Sequence, residues 1–180
     1  MLQKGAGFLI LILILALATV AWTGASPVRA EDDGTGPQTI AGVRIECRDI
    51  RGRAVRTFQI KNLGDVGRAG IVNRAPIIAI DPNIMALLPD KMQLFFYLHE
   101  CAHHVLGHWM AFAPDHENAA DCWAIHYGRD HAMLERQDVE SFAPVLARSQ
   151  GSNAGHLPGP ERARHLLECF DKKPQEVAVH

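Results

Sequence analysis

The sequence has no excess of basic residues, no Cys-x-x-Cys pair and, beyond Glu31-Asp32-Asp33, no block of like charge. Lysine and arginine together number 18 against 20 aspartates and glutamates, a formal net charge of −2. Lys4 and Arg29 both fall in the first thirty residues, so the remainder carries 16 basic against 20 acidic residues, a net of about −4. A nucleic-acid binder would present a basic face, so that class is excluded. Without a Cys-x-x-Cys pair, a structural zinc site built on cysteines is the weaker reading. No internal repeat is visible.

What is present starts with an export leader over residues 1–30. Lys4 gives a small positive n-region, Phe8 to Trp22 is almost unbroken apolar sequence, and Val28-Arg29-Ala30 places small residues where a signal peptidase reads. Cleavage after Ala30 would leave a mature chain with a flexible N-terminus over 31–38. The alternative is an uncleaved anchor, since Gly5 to Ala25 is about long enough to span a bilayer. Either way the rest of the chain is expected to be periplasmic or secreted, touching a membrane only if the leader stays attached.

The remaining stretch, residues 39–180, suits one domain with one core. Its four cysteines, Cys47, Cys101, Cys122 and Cys169, are an even number in an oxidising compartment, and two disulfides are plausible. Cys101 and Cys122 adjoin the two segments that carry the candidate metal ligands below, so a Cys101–Cys122 bridge could staple a site. Cys47–Cys169 would then tie the first strand to the last helix. Three connectivities exist in principle, and sequence does not choose among them.

Val43, Ile45 and Cys47 alternate with charged residues as in a strand, and Val55 to Gln59 continues as a second. Gly64, Gly67 and Gly70 read as a punctuated loop. Ile77 to Ile80 is a short apolar strand ending at Asp81-Pro82. Helical spacing then takes over. Met92, Leu94, Phe95, Leu98, Ala102 and Val105 lie on a helix opened by Asp90 and ended near Gly107. A second helix starts at Pro114-Asp115 and stops at Gly128. A third runs from Leu134 to Arg148 with a kink at Pro144. A loop from Gly151 to Gly159 precedes a last helix, opened by Pro160 and reaching Phe170. Strands followed by a run of helices make the fold class α+β.

The chemistry concentrates in His99-Glu100-Cys101-Ala102-His103. Positions four apart on a helix differ by about 40° in azimuth, so His99 and His103 project from one face and can share one zinc. Glu100, about 100° round, lies beside such a metal and suits a base for a water activated there. A catalytic zinc needs a third protein ligand with a fourth position open. Glu117 is the best candidate, because the loop before it is short enough to fold its helix back. Asp121, four residues on, shares that face and could accept the free ring N–H of a ligand histidine, most simply His99. His104 and His108 lie more than about 100° off the His99/His103 face of a straight helix and read as packing or surface groups. His116 reads as exposed, His126 and His131 carry no pattern, and Tyr97 and Tyr127 read as core.

Taken together, His99-Glu100-Cys101-Ala102-His103, Gly107-His108 and Glu117-Asn118-Ala119-Ala120-Asp121 resemble the gluzincin zinc metallopeptidases of the HtpX-like and CAAX-prenyl-protease-like group. Gly155-His156-Leu157-Pro158 and Glu161-Arg162 resemble the His-Pro and Glu-Arg near the end of that catalytic domain, with Leu157 inserted between histidine and proline. The resemblance spans about Ile77 to Phe170. It implies a zincin-like (minigluzincin) domain with a small N-terminal β-sheet, the active-site helix and C-terminal helices. It further implies one Zn2+ held by His99, His103 and Glu117, Glu100 as general base, and Asp121 orienting a ligand. Ile77 to Ile80 would be the edge strand that pairs with an extended substrate. His156 or Arg162 would stabilise the oxyanion or brace the site. Unlike multi-span relatives, this chain carries no membrane helix beyond its leader and looks like a minimal soluble form.

The expected activity is that of an exported zinc metalloendopeptidase, its partner a peptide or protein substrate. Two alternatives remain open at this level: a catalytically silent zinc-binding chaperone or partner-binding module on the same scaffold, and a non-peptide amidase acting on cell-wall material. Oligomeric state and cleavage preference are not written in the sequence.

Overall fold

The computed structural model describes residues 34, 36–110, 113, 115–151 and 156–172; the expected leader lies outside them. The fold is α+β: small N-terminal sheets precede the main helices. Strands β1 (Gln38–Ile40) and β2 (Val43–Ile45) form an antiparallel hairpin. It turns through Ala41 and Gly42, both at positive φ. Three further strands form a second sheet, β3 (Arg56–Gln59), β4 (Gly67–Val72) and β5 (Ala75–Ile80), in the order β3-β5-β4. Pairing reaches into the stretch expected to be flexible: β1 begins at Gln38, and the Gly34 carbonyl accepts from the Thr57 N–H.

Two expectations about this sheet are corrected. Residues 67–72 are a strand, not a loop: β4 pairs antiparallel with β5 from Gly67↔Ile80 to Val72↔Ala75, and the turn between them uses Asn73 and Arg74 at positive φ. Glycine here marks close packing, since a Cβ on Gly67 would lie 3.0 Å from Ile80 Cδ1 and 3.1 Å from Glu100 Cγ. Ile77 to Ile80 is therefore not an edge. It is parallel to β3 on one side and antiparallel to β4 on the other. Burial of Ile78, Ala79 and Ile80 in succession is what a central strand requires. The edges of this sheet are β3 and β4.

After the short helix α1 (Pro82–Met85), capped by the Asp81 carboxylate, comes α2 (Asp90–Val105). Its buried residues cover most of its circumference, Met92, Leu94, Phe95, Tyr97, Leu98 and Cys101 among them, so it runs through the core. It starts on Pro89, with Asp90 its first residue rather than its cap. Gly107, at φ 71°, turns the chain into a single 3-10 turn, His108–Met110.

Helix α3 (His116–Asp130) runs past Gly128, which was expected to stop it. That glycine instead lets Leu134 approach, since a Cβ would meet the leucine side chain at 2.5 Å. The span expected as one kinked helix is two, α4 (Arg136–Ser141) and α5 (Ala143–Leu146), broken at Phe142. Pro144 lies in the first turn of α5, where its missing N–H costs nothing. Helix α6 (Gly159–Asp171) closes the core with Ala163, Leu166 and Cys169. No helix among the described residues is long and apolar enough to cross a membrane.

Both disulfides form, with connectivity other than the one expected: Cys47 pairs with Cys101 and Cys122 with Cys169. The reason is azimuth. Cys101 is two residues from both His99 and His103, about 160° round the helix from each, so it faces away from α3 and toward the sheet side where Cys47 lies. Cys122 is likewise turned off the Glu117/Asp121 face and meets α6. One bridge thus ties the β2 end to α2, the other α3 to α6. Both suit an oxidising compartment.

Candidate metal centre

Helix α2 supplies His99, Glu100 and His103, and the packed neighbouring helix α3 supplies Glu117 and Asp121. His99 Nε2 lies 3.2 Å from His103 Nε2 and 3.1 Å from Glu117 Oε2, and His103 Nε2 is 3.5 Å from the same oxygen. Ligands at about 2.0–2.1 Å from a tetrahedral zinc stand about 3.3 Å apart. The three atoms therefore already mark one face of such a tetrahedron, and the group could hold a metal ion.

The orientation of each ring is set from behind. His99 is 1% exposed, and its Nδ1 lies 2.7 Å from Asp121 Oδ1, which leaves Nε2 to face Glu117. Asp121 is gripped by Arg162 of α6, Nε to Oδ2 at 2.8 Å and Nη2 to Oδ1 at 2.7 Å. Arg162 is itself buried, with its guanidinium over the rings of Phe95 and Phe96. Burial alone would lower the pKa of His99, but its contacts with Asp121 and Glu117 outweigh that and hold it up at about 9. Burial would likewise raise both carboxyls. Glu117 is instead held well below the usual carboxylate range by His103, His156 and His99, and Asp121 by His99 and Arg162.

His103 is braced differently. Its Nδ1 lies 2.9 Å from Nδ1 of His108, whose ring stacks on His116 at 3.9 Å. Burial, with His103 and His116 nearby, pulls His108 down to about 4, so it is neutral at pH 7. His108 does not lie on the straight continuation of the helix that was expected, because the helix ends at Val105 and Gly107 turns the next residue back. His116 is half-buried on the same wall rather than exposed. His104 behaves as expected for a packing residue: it is buried and its Nε2 donates to the Ile77 carbonyl at 2.8 Å. Tyr97 is core, its hydroxyl 3.0 Å from Thr57 Oγ1.

Glu100, 8% exposed, accepts from the backbone N–H of Ala69 on β4 at 2.6 Å. Because N–H groups alternate along an antiparallel strand, those of Gly67 and Ile71 share Ala69's direction, away from β5. His156 comes from the loop before α6, its Nε2 2.8 Å from Glu117 Oε2 and its ring 5.6 Å from that of His99. His99, Glu100, His103, Glu117 and His156 line one cavity of about 880 Å3. One wall is β4 from Gly67 to Gly70; another is apolar, with Leu88, Met92, Phe96, Val145 and Leu146.

The sequence thus points to His99, Glu100, His103, Glu117 and Asp121, but not to His108 and His116, the Ala69 contact or the full reach of Arg162. The Glu161-Arg162 pair on the last helix was a signal for the latter; no sequence signal marked Ala69, because only strand pairing puts its N–H there. Comparisons with protein-family models, curated proteins and solved structures find no match to this chain.

Proposed function

We propose that the protein is an exported zinc-dependent endopeptidase of the gluzincin type, with one zinc held by His99, His103 and Glu117. The observation that carries this reading is the spacing of those three ligand atoms, 3.1–3.5 Å, at the floor of an open cleft with Glu100 beside them. A zinc ion there supplies Lewis-acid polarisation of a scissile carbonyl and acidifies an attacking water.

The chain's own residues do the rest. An extended peptide pairs with the outer edge of β4 through the N–H groups of Gly67 and Ile71, lying between that strand and the apolar wall. Glu100, pinned at one oxygen by Ala69, takes the proton of the attacking water on the other and returns it to the leaving amine. His156 donates to the oxygen that gains charge as the carbonyl is attacked. Asp121, held by Arg162, keeps the His99 proton on Nδ1, so that Nε2 is a ligand.

The test is to load the protein with one equivalent of zinc and incubate it side by side with casein and with peptidoglycan. Casein fragments that vanish on chelation and return with stoichiometric zinc are expected. Release of muropeptides without casein cleavage would assign the site to cell-wall amide bonds. No cleavage of either at full zinc occupancy would leave a binding module.

A further inference from the structure

A second group of metal-ligating atoms lies on the opposite side of α3. His165 and Cys169 are four residues apart on α6, the spacing that puts two ligands on one helix face, and Cys122 faces them from α3. His165 Nε2 is 3.6 Å from Cys122 Sγ and 3.5 Å from Cys169 Sγ. In a tetrahedral zinc site with Zn–N of about 2.0–2.1 Å and Zn–S of about 2.3 Å, nitrogen and sulfur stand about 3.5 Å apart. The imidazole therefore already holds the place of a metal ligand toward both sulfurs. The site described above makes no use of this histidine.

We propose that Cys122, His165 and Cys169 form a second, redox-gated metal site, closed while the sulfurs are bonded and open to a thiophilic divalent ion such as Zn2+ once they are reduced. A dithiol delivers two electrons and two protons to the disulfide, giving two thiols and becoming a disulfide itself. Metal binding expels those two protons as the sulfurs become thiolates. The sulfurs need only part to about 3.8 Å, the edge of the same tetrahedron. His165 Nε2 now faces the Asn118 carbonyl at 3.2 Å; on binding its proton moves to Nδ1, and that carbonyl or a water takes the fourth position. A hard ion such as Mg2+ is not matched by this donor set. In either redox state α3 stays clipped to α6, so the helix bearing Glu117 and Asp121 keeps its place while the thiols are unoxidised. Neither the ligand set nor the outcome depends on peptidase activity.

The protein, reduced anaerobically with a phosphine, is exposed to a thiol-alkylating reagent with Zn2+ or with chelator, and each cysteine is followed by peptide mapping. Zinc is expected to slow alkylation of Cys122 and Cys169 by at least about tenfold and to leave Cys47 and Cys101 unchanged. His165→Ala should abolish the protection. As a second readout, reduced protein with Co2+ should show a sulfur-to-cobalt absorption that Cys122→Ser lacks. The His99/His103/Glu117 group, which has no sulfur, does not contribute to that signal. The proposal is overturned if zinc protects none of the cysteines or all four alike. It is also overturned if protection survives His165→Ala, or if reduced protein unfolds and zinc does not restore it.

Discussion

Arg162 holds both carboxylate oxygens of Asp121 inside the protein, and Asp121 in turn stands 2.7 Å from Nδ1 of His99. This chain of contacts joins the last helix to His99, whose other ring nitrogen faces His103 and Glu117. Replacing Arg162 by alanine leaves a buried carboxylate with half its partners, a loss of about 3–5 kcal/mol in unfolding free energy. Asp121→Asn keeps the volume but weakens the support of His99, and should lower zinc affinity about 10–100-fold. Denaturant titration of the first variant and chelator competition on the second check the two effects separately.

The Ala69 N–H reaches Glu100 rather than β5, so it can be removed without breaking the ladder. Ala69→Pro should leave zinc content and melting temperature close to wild type, because proline is tolerated on an edge strand. It should lower kcat about tenfold, as the carboxylate loses a charge-assisted hydrogen bond that orients it. Steady-state kinetics alongside zinc analysis measure this; a large fall in stability with unchanged kcat would contradict the assignment.

The candidate metal group was legible in the sequence. Four-residue spacings aligned His99 with His103 and Glu117 with Asp121, and the structure places all four together. Spacing along one helix says which residues share a face, but not which neighbour that face meets. Cys101 and Cys122 were paired for their closeness to the ligands, whereas both turn away from them. Strand β4 was hidden because Gly67 and Gly70, read as loop punctuation, serve close packing and a bare edge. The edge role of Ile77 to Ile80 came from the family resemblance, and β4 takes the place beside it that a substrate was expected to fill.

The Cys47–Cys101 bridge closes a loop of 54 residues and joins the β2 end to the helix that bears His99 and His103. Chain-entropy arguments put its contribution at about 4 kcal/mol. Cys47→Ala with Cys101→Ala should lower stability by that order, read by denaturant unfolding. Peptide mapping of the unreduced protein should find Cys47 with Cys101 and Cys122 with Cys169.

Asp49 is one carboxylate through which acid weakens the fold. Its carboxylate accepts from the N–H groups of Arg51 and Arg53 at 3.0 and 2.9 Å and from Arg53 Nε at 2.8 Å. Burial would raise its pKa, but the bonds from Arg53 and Arg51 outweigh it, and the folded value lies below the ordinary 3.8. The unfolded chain therefore takes up a proton here before the folded one does. The stabilisation is complete above pH 3.8 and is lost as pH falls through the lowered folded value. Asp49→Asn should flatten the stability–pH curve in that acid window and leave its shape near neutrality unchanged, as urea unfolding at a series of pH values would record.

In the proposed function Glu100 moves the proton of a water at a site held by His99, His103 and Glu117. The most direct measurement is the peptidase rate of zinc-loaded Glu100→Gln beside wild type, with zinc content determined on the same samples. Equal zinc content and a fall in kcat/KM of about a hundred- to ten-thousandfold are expected. Equal rates in the two proteins at equal zinc content would contradict this role of Glu100.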